Sequence, residues 1–253
     1  MRSRYLDIED RTQDLADLLR DEPALAQEFL RKYELSWVHH EHALEGVVFS
    51  GREIEQAFAN QPLAEISSMA TLREIRSFRA ALEMVRAEAA QKRVKIGLTL
   101  VRTLYEVLHA DPKGAGEYRK DMPLHRAYFH DIAQPARIPH QLAKLMEWCQ
   151  SPEFRGAHPL QRASKLHHAF MQVYPYTAGS GKIARLLANL ILIHHGYQPC
   201  IFHSIDRQRY YESLRAPEPA LREFMLESME NGIATGEKFI HAALEARAKT
   251  VVR

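Results

Sequence analysis

A chain of 253 residues with 46% hydrophobic and 26% charged residues holds enough apolar material for one large folded domain, or a domain with an extension. Its 34 basic and 32 acidic residues leave a net charge of +2, which excludes the strongly basic footprint of a nucleic-acid binder. Cys149 and Cys200, the only two cysteines, are far apart and exclude a disulfide framework or a C-x-x-C centre.

The amino-terminal stretch MRSRYLDIEDRTQDL is charged and has no apolar h-region, so no signal peptide is expected. Residues 9–33 are rich in Leu, Ala, Glu and Arg, and Pro23 is expected to separate two short helices there. A helix over Ser36 to Leu44 should end at Gly46, a C-terminal cap. Ser50 opens the next, with Glu53 three residues on completing a capping box. Ile75, Phe78, Leu82 and Val85 recur at helical spacing, as do Ile96, Leu100, Leu104 and Leu108.

Residues 111–139, punctuated by Pro112, Gly114, Gly116, Pro123, Pro135 and Pro139, form a long irregular segment of the kind that is usually functional. Helices resume at Leu142, Leu145, Met146 and Trp148, break over Ser151 to Pro159, and run on to Val173. The longest apolar stretch, Ile183 to Ile193, is too short to span a bilayer and carries Arg185 and Asn189, so no membrane partner is expected and the cytoplasm is the expected location. Beyond Pro199, Arg207 to Leu214 and Leu221 to Ala246 are again helical, giving an all-α bundle of about ten helices. The 14 histidines include the adjacent pairs His167–His168 and His194–His195, whose side chains diverge on a helix, and no H-E-x-x-H occurs. No metal site is expected from them.

Residues 174–185, Tyr-Pro-Tyr-Thr-Ala-Gly-Ser-Gly-Lys-Ile-Ala-Arg, have the form of an anion-binding turn. Gly179 and Gly181 would let a phosphate approach the backbone, the open N–H groups of a helix start would receive it, and Lys182 and Arg185 share one face of the first turn. Ser180 completes the cradle. The stretch is not a P-loop, because Tyr176 and Ile183 stand where that motif needs Gly and a hydroxyl.

The turn resembles the Fic (Fido) family motif, His-Pro-Phe-x-(Asp/Glu)-Gly-Asn-Gly-Arg-x-x-Arg. Pro175, Gly179, Gly181 and Arg185 match it, while Tyr176 and Lys182 are near equivalents. Tyr174 stands at the family's catalytic His, Ala178 at its metal-binding carboxylate and Ser180 at its Asn. Gly116-Glu117-Tyr118-Arg119 resembles the start of the family's flap, and Glu45-Gly46 the end of its inhibitory helix motif, (Ser/Thr)-x-x-x-Glu-(Gly/Asn), with Glu41 in place of Ser/Thr. The resemblance implies a Fic-type helical bundle with a small β-hairpin flap, divided as an N-terminal helical region (1–90), a Fic-like core (91–215) and C-terminal helices (216–253). It further implies ATP or another nucleotide as ligand, a protein target along the 116–139 flap, homodimers in some members, and an inhibitory contact from Glu45 to Arg185.

The substitutions bear on the chemistry the family performs, transfer of AMP from ATP to a protein hydroxyl. A phenol, which titrates at about 10 against about 6.5 for imidazole, is a donor rather than a base at neutral pH. Mg²⁺ takes one or two carboxylates beside substrate phosphates, and Ala178 offers none, so Mg²⁺ binding is doubtful. Lys182 keeps a cation without the bidentate fork of arginine. Three readings remain open. One is a degenerate protein with a residual phosphate or nucleotide site, a pseudoenzyme. Another is a divergent transferase acting on protein hydroxyls, with Tyr174 as nucleophile or acid. A third is a helical protein-interaction module. For single residues the alternatives are a packed aromatic at 174, solvated charges at 182 and 185, and an ordinary structural carboxylate at 45.

Overall fold

The computed structural model describes residues 2–59, 67–109, 117–123 and 130–251. Its regular elements are helices: α1 (Arg2–Asp21), α2 (Pro23–Leu44), α3 (Gly51–Phe58), α4 (Ser67–Ala89), α5 (Leu98–His109), α6 (Ile138–Trp148), α7 (Pro152–Gly156), α8 (Pro159–Val173), α9 (Ser180–His194), α10 (Arg207–Arg215) and α11 (Glu218–Val251). Short 3₁₀ turns at Pro135–Arg137 and Ser204–Asp206 precede α6 and α10. The all-α expectation holds, and no strand occurs among the described residues. The expected β-hairpin flap over 116–139 falls partly outside the described residues, and the described parts at 117–123 and 130–134 have no regular structure. Among the described residues no helix is long and apolar enough to cross a membrane.

Pro23 separates two helices as expected, but neither is short. Pro23 occupies the first turn of α2, where its missing N–H costs nothing. From there α2 runs unbroken for 22 residues, because nothing between Tyr33 and Ser36 interrupts it. The helix expected from Ser36 is therefore the last part of α2. Gly46 follows with φ 92°, the left-handed conformation of a helix stop. The capping box is present: the Glu53 N–H donates to Ser50 Oγ at 3.3 Å and the Ser50 N–H to Glu53 Oε2 at 2.7 Å. The break at 151–159 encloses the single turn α7, capped by Ser151.

The centre of the molecule is α9, which is apolar on nearly every side and buried from Ile183 to Leu192. It packs along α8, with α4 against its other flank and α11 behind α8. One hydrophobic core runs through these helices, from Ile8 on α1 to Ile240 on α11. Asn189 is one of the few buried polar residues of α9. Its amide donates to the Cys200 carbonyl at 3.1 Å and accepts from the Cys200 N–H at 2.7 Å, tying α9 to the segment that leads into α10. Asn189→Ala strands both buried backbone groups and is expected to cost about 2–3 kcal/mol in urea denaturation. A loss under about 0.5 kcal/mol would mean that the segment relaxes and finds water instead.

Candidate anion-binding site

The turn between α8 and α9 is built against a conformational preference. Tyr174 caps α8 in the left-handed region at φ 46° and ψ 64°, the one non-glycine with positive φ among the described residues. Such a conformation costs an L-residue roughly 1–2 kcal/mol and persists only where its surroundings impose it. Arg119, itself buried, does so from the irregular segment 117–123. Its Nε donates to the Tyr174 carbonyl at 2.8 Å, its backbone N–H to the Pro175 carbonyl at 2.9 Å, its Nη2 to the Ala133 carbonyl and its Nη1 to the Asp121 carbonyl at 3.1 Å. Tyr176 is buried in the core with its ring stacked on Tyr105, centroids 4.2 Å apart.

Ser180 differs from the expectation of a phosphate ligand through its side chain. Its hydroxyl is fully buried, donates to the Tyr176 carbonyl and accepts from the Tyr176 N–H, both at 2.9 Å. Only its backbone N–H is left for an anion. Gly179 sits at the N-cap with φ 81° and supplies no side-chain cap, so the first N–H groups of α9 stay open. A Cβ on Gly179 would lie 2.8 Å from His109 Cε1, so the imidazole of α5 rests directly on this turn.

A cavity of about 530 Å³ opens in front of the turn. Tyr174, Ala178, Gly179 and Lys182 form one wall, Arg73 and Glu74 of α4 another, with His109 and Glu45 at the sides. Lys182 Nζ pairs with Glu74 Oε1 at 3.0 Å. Arg185 is not in the wall. Its side chain is 2% exposed and is held by Glu41 through Nε and by Glu45 through Nη2, each at 2.5 Å, with Nη1 donating to Tyr210 Oη at 2.9 Å. Burial disfavours its charge, but Glu41, Tyr210 and Glu45 together outweigh that and hold the guanidinium well above its ordinary value. Burial pushes the Tyr210 phenol up, with Arg185 opposing. For Glu41, burial raises the carboxyl and the Arg185 charge pulls it back, leaving it above the ordinary range.

The end of α2 is fixed from α10, where Arg207 Nε and Tyr211 Oη both donate to the Leu44 carbonyl, at 2.8 and 3.2 Å. A cation at a helix C-terminus is favourable, and here it places Glu45 over α9. Gly181 makes room for it, since a Cβ there would collide with Glu45 Oε1. On the same helix His42 is buried, and burial together with the Lys182 charge pushes it down to about 4, so it is neutral beside Glu74.

The structure thus brings Glu45 and Arg185 into direct contact and puts Lys182, Tyr174 and Gly179 around one cavity. Sequence reasoning missed Glu41 as a partner of Arg185, although Glu41 and Glu45 are four apart and so share a helix face. It also missed Glu74, Tyr210 and His109, which come from helices distant in sequence and carry no short motif. A divalent metal, implied by the family resemblance, does not fit these residues. Ala178 has no carboxylate, Glu45 and Glu74 are already paired with cations, and among the described residues no group of three or more metal-ligating side chains converges.

Residues 95–192 match the model of the Fic/DOC family. A protein adenylyltransferase Fic from Nematostella vectensis is 28% identical over 183 residues, covering 70% of this chain and 42% of that protein. Another, from Drosophila erecta, is 24% identical over 88% of this chain and 45% of its own length, so the chain spans less than half of the curated relatives it matches. Among solved structures, Fic-1 from C. elegans (residues 134–508) superposes with a TM-score of 0.76 at 23% identity, over 95% of this chain and 71% of that one. The domain match covers α5 to α8, the turn and most of α9, and the similarity of fold extends well beyond it: residues 95–192 of this chain are a Fic-type domain.

Proposed function

We propose that this protein binds the phosphates of a nucleotide at the start of α9 and holds that site closed with Glu45 and Glu41. We further propose that it does so without the metal-assisted, histidine-driven route to AMP transfer. The observation that carries this reading is Arg185, the one motif arginine, sealed under two carboxylates at 2.5 Å beside an open cavity. The cavity supplies open N–H groups, Lys182 and a glycine turn, which is the chemistry an anion needs. It lacks a carboxylate at 178 and an imidazole at 174, which the metal-assisted route needs. An interaction module with a vestigial pocket is disfavoured, because about 530 Å³ remains unfilled. A divergent transferase is the second reading, and the clamp on Arg185 favours it, since a restraint serves a site with something to restrain. In that reading a protein hydroxyl, presented along the 116–139 segment, is the acceptor.

Calorimetric titration of ATP into the Glu45→Gly variant, with and without Mg²⁺, tests the binding reading. The expected result is binding of equal strength in both conditions, weakened about tenfold or more by Lys182→Ala. Binding that requires Mg²⁺, or none in either condition with the clamp fully removed, would overturn it.

A further inference from the structure

We propose that His109, on α5, is the general base of this cavity, serving from a different helix the role that the family motif assigns to the position of Tyr174. The inference rests on the reading above, that nucleotide phosphates bind at the start of α9.

The assignment comes from elimination and from the orientation of one ring. The ionisable side chains lining the cavity are Glu45, Arg73, Glu74, His109, Tyr174 and Lys182. Glu45 is paired with Arg185 at 2.5 Å and Glu74 with Lys182 at 3.0 Å, and at neutral pH a carboxylate is in any case a weaker base than an imidazole. Arginine, lysine and phenol are donors at neutral pH. Imidazole is the remaining acceptor, and the fold fixes which nitrogen accepts. His109 Nδ1 lies 2.9 Å from the Tyr105 carbonyl, four residues back on α5. A carbonyl only accepts, so the neutral ring carries its proton on Nδ1 and its lone pair on Nε2.

The ring cannot drift from this pose. It stacks on Tyr105 with centroids 4.0 Å apart, and Tyr105 in turn stacks on the buried Tyr176 of the motif turn. Its other edge fills the space that Gly179 leaves by having no Cβ, 2.8 Å to Cε1 and 3.4 Å to Nε2 from where that Cβ would be. Nε2 therefore faces the mouth of the anion turn. Among the described residues no group bonds to it. The arrangement of base, orienting carbonyl and open lone pair is what a proton acceptor requires.

The step that follows is balanced without a metal. A hydroxyl, of water or of a protein, attacks the α-phosphorus of a nucleoside triphosphate. As the new P–O bond forms, the hydroxyl proton passes to His109 Nε2. The bond from the α-phosphorus to the bridging oxygen breaks, and pyrophosphate leaves with the electron pair. Lys182, and Arg185 once Glu41 and Glu45 no longer neutralise it, face the charge that develops on the leaving group. The proton on Nε2 is returned to solvent, and the nucleoside monophosphate remains on the acceptor oxygen.

The test uses the whole chain with the clamp removed (Glu41→Gln with Glu45→Gly), a chelator present, and ATP, GTP, CTP and UTP supplied singly. Binding is read by calorimetry and pyrophosphate release by a coupled assay, with water as acceptor. With at least one nucleotide, His109→Ala is expected to slow release about 100-fold or more, in the range general bases contribute. The Kd should change by less than about threefold, and added imidazole should restore part of the rate, a recovery that a merely structural role would not permit. Tyr174→Phe should cost at least about ten times less than His109→Ala. Nucleotide that binds without releasing pyrophosphate would overturn the base and leave the binding reading intact. A loss in His109→Ala that lies in Kd, or that imidazole does not restore, would overturn the base too. No binding of any nucleotide would overturn both.

Discussion

Glu45→Gly alone is expected to raise ATP affinity only a few-fold, whereas Glu45→Gly combined with Glu41→Gln should raise it by roughly 30-fold over the natural chain. The reason is the charge count around Arg185. One guanidinium faces two carboxylates, both at 2.5 Å, so removing Glu45 still leaves Arg185 fully neutralised by Glu41. A phosphate approaching from the cavity then meets a guanidinium already spent. Glu45, 26% exposed, is screened by solvent and opposes an incoming phosphate weakly, whereas the buried Glu41, at about 8 Å from it, opposes it by on the order of 2 kcal/mol at an effective dielectric of about 20, which is close to 30-fold. Gln keeps the size of Glu41 and an oxygen for Arg185 Nε, so the substitution removes charge without opening a hole. Calorimetry of the single and double variants decides it. If Glu45→Gly alone reaches the affinity of the double variant, Glu41 is a packing partner of Arg185 and not a second restraint on the site.

Glu41→Gln also has a signature in stability. Burial raises the Glu41 carboxyl above its unfolded value despite the opposing Arg185 charge. An acid raised in this way binds more protons folded than unfolded. Its contribution is fully present below the unfolded value and is lost as pH rises through the folded one. Gln does not titrate, so the variant should gain on the natural chain as pH rises from the acid side to neutrality. Denaturation curves for both chains on either side of that window would show the gap widen, and a constant gap would mean that Arg185 holds Glu41 at its unfolded value.

Much of this site was legible in the sequence where local rules apply. The Gly46 stop, the Ser50–Glu53 box and the glycine turn at 179–181 are each decided within a few residues, and all three are present. The Glu45–Arg185 contact was reachable only through the family pattern, since 140 residues separate the partners. What was hidden depends on tertiary packing. Ser180 completes the cradle by its place in the turn, but its hydroxyl turns inward to the Tyr176 backbone, which leaves its N–H alone for that role. Glu74 and Tyr210 meet the motif only when α4 and α10 dock, and nothing in their neighbourhoods announces it. His109 follows the apolar stripe of α5 and reads as the end of a helix until Gly179 is folded against it.

Arg185→Ala is expected to lose stability as well as any affinity for phosphate, by about 3–5 kcal/mol, or on the order of 10 °C in Tm. The side chain is 2% exposed and Glu41, its partner, 3%. Removing the guanidinium leaves a buried carboxylate with no counter-charge, and that desolvated anion, more than the lost attraction, sets the cost. Glu45, 26% exposed, can turn to solvent, and Tyr210 Oη keeps His167 Nε2 at 3.0 Å. The penalty is therefore concentrated in Glu41, and adding Glu41→Gln to Arg185→Ala should recover at least half of it. Thermal unfolding of the three chains separates the cases, and an unchanged Tm in Arg185→Ala would show that water reaches Glu41. The same reasoning makes Lys182→Ala the cleaner probe of phosphate binding. Its pair with Glu74, itself 41% exposed, is solvent-screened and contributes little, so a loss of affinity there reports on the ligand. Arg185 is thus bound into both the folded core and the closed site. Opening the site without unfolding the chain requires removing charge from the carboxylates and leaving the arginine in place.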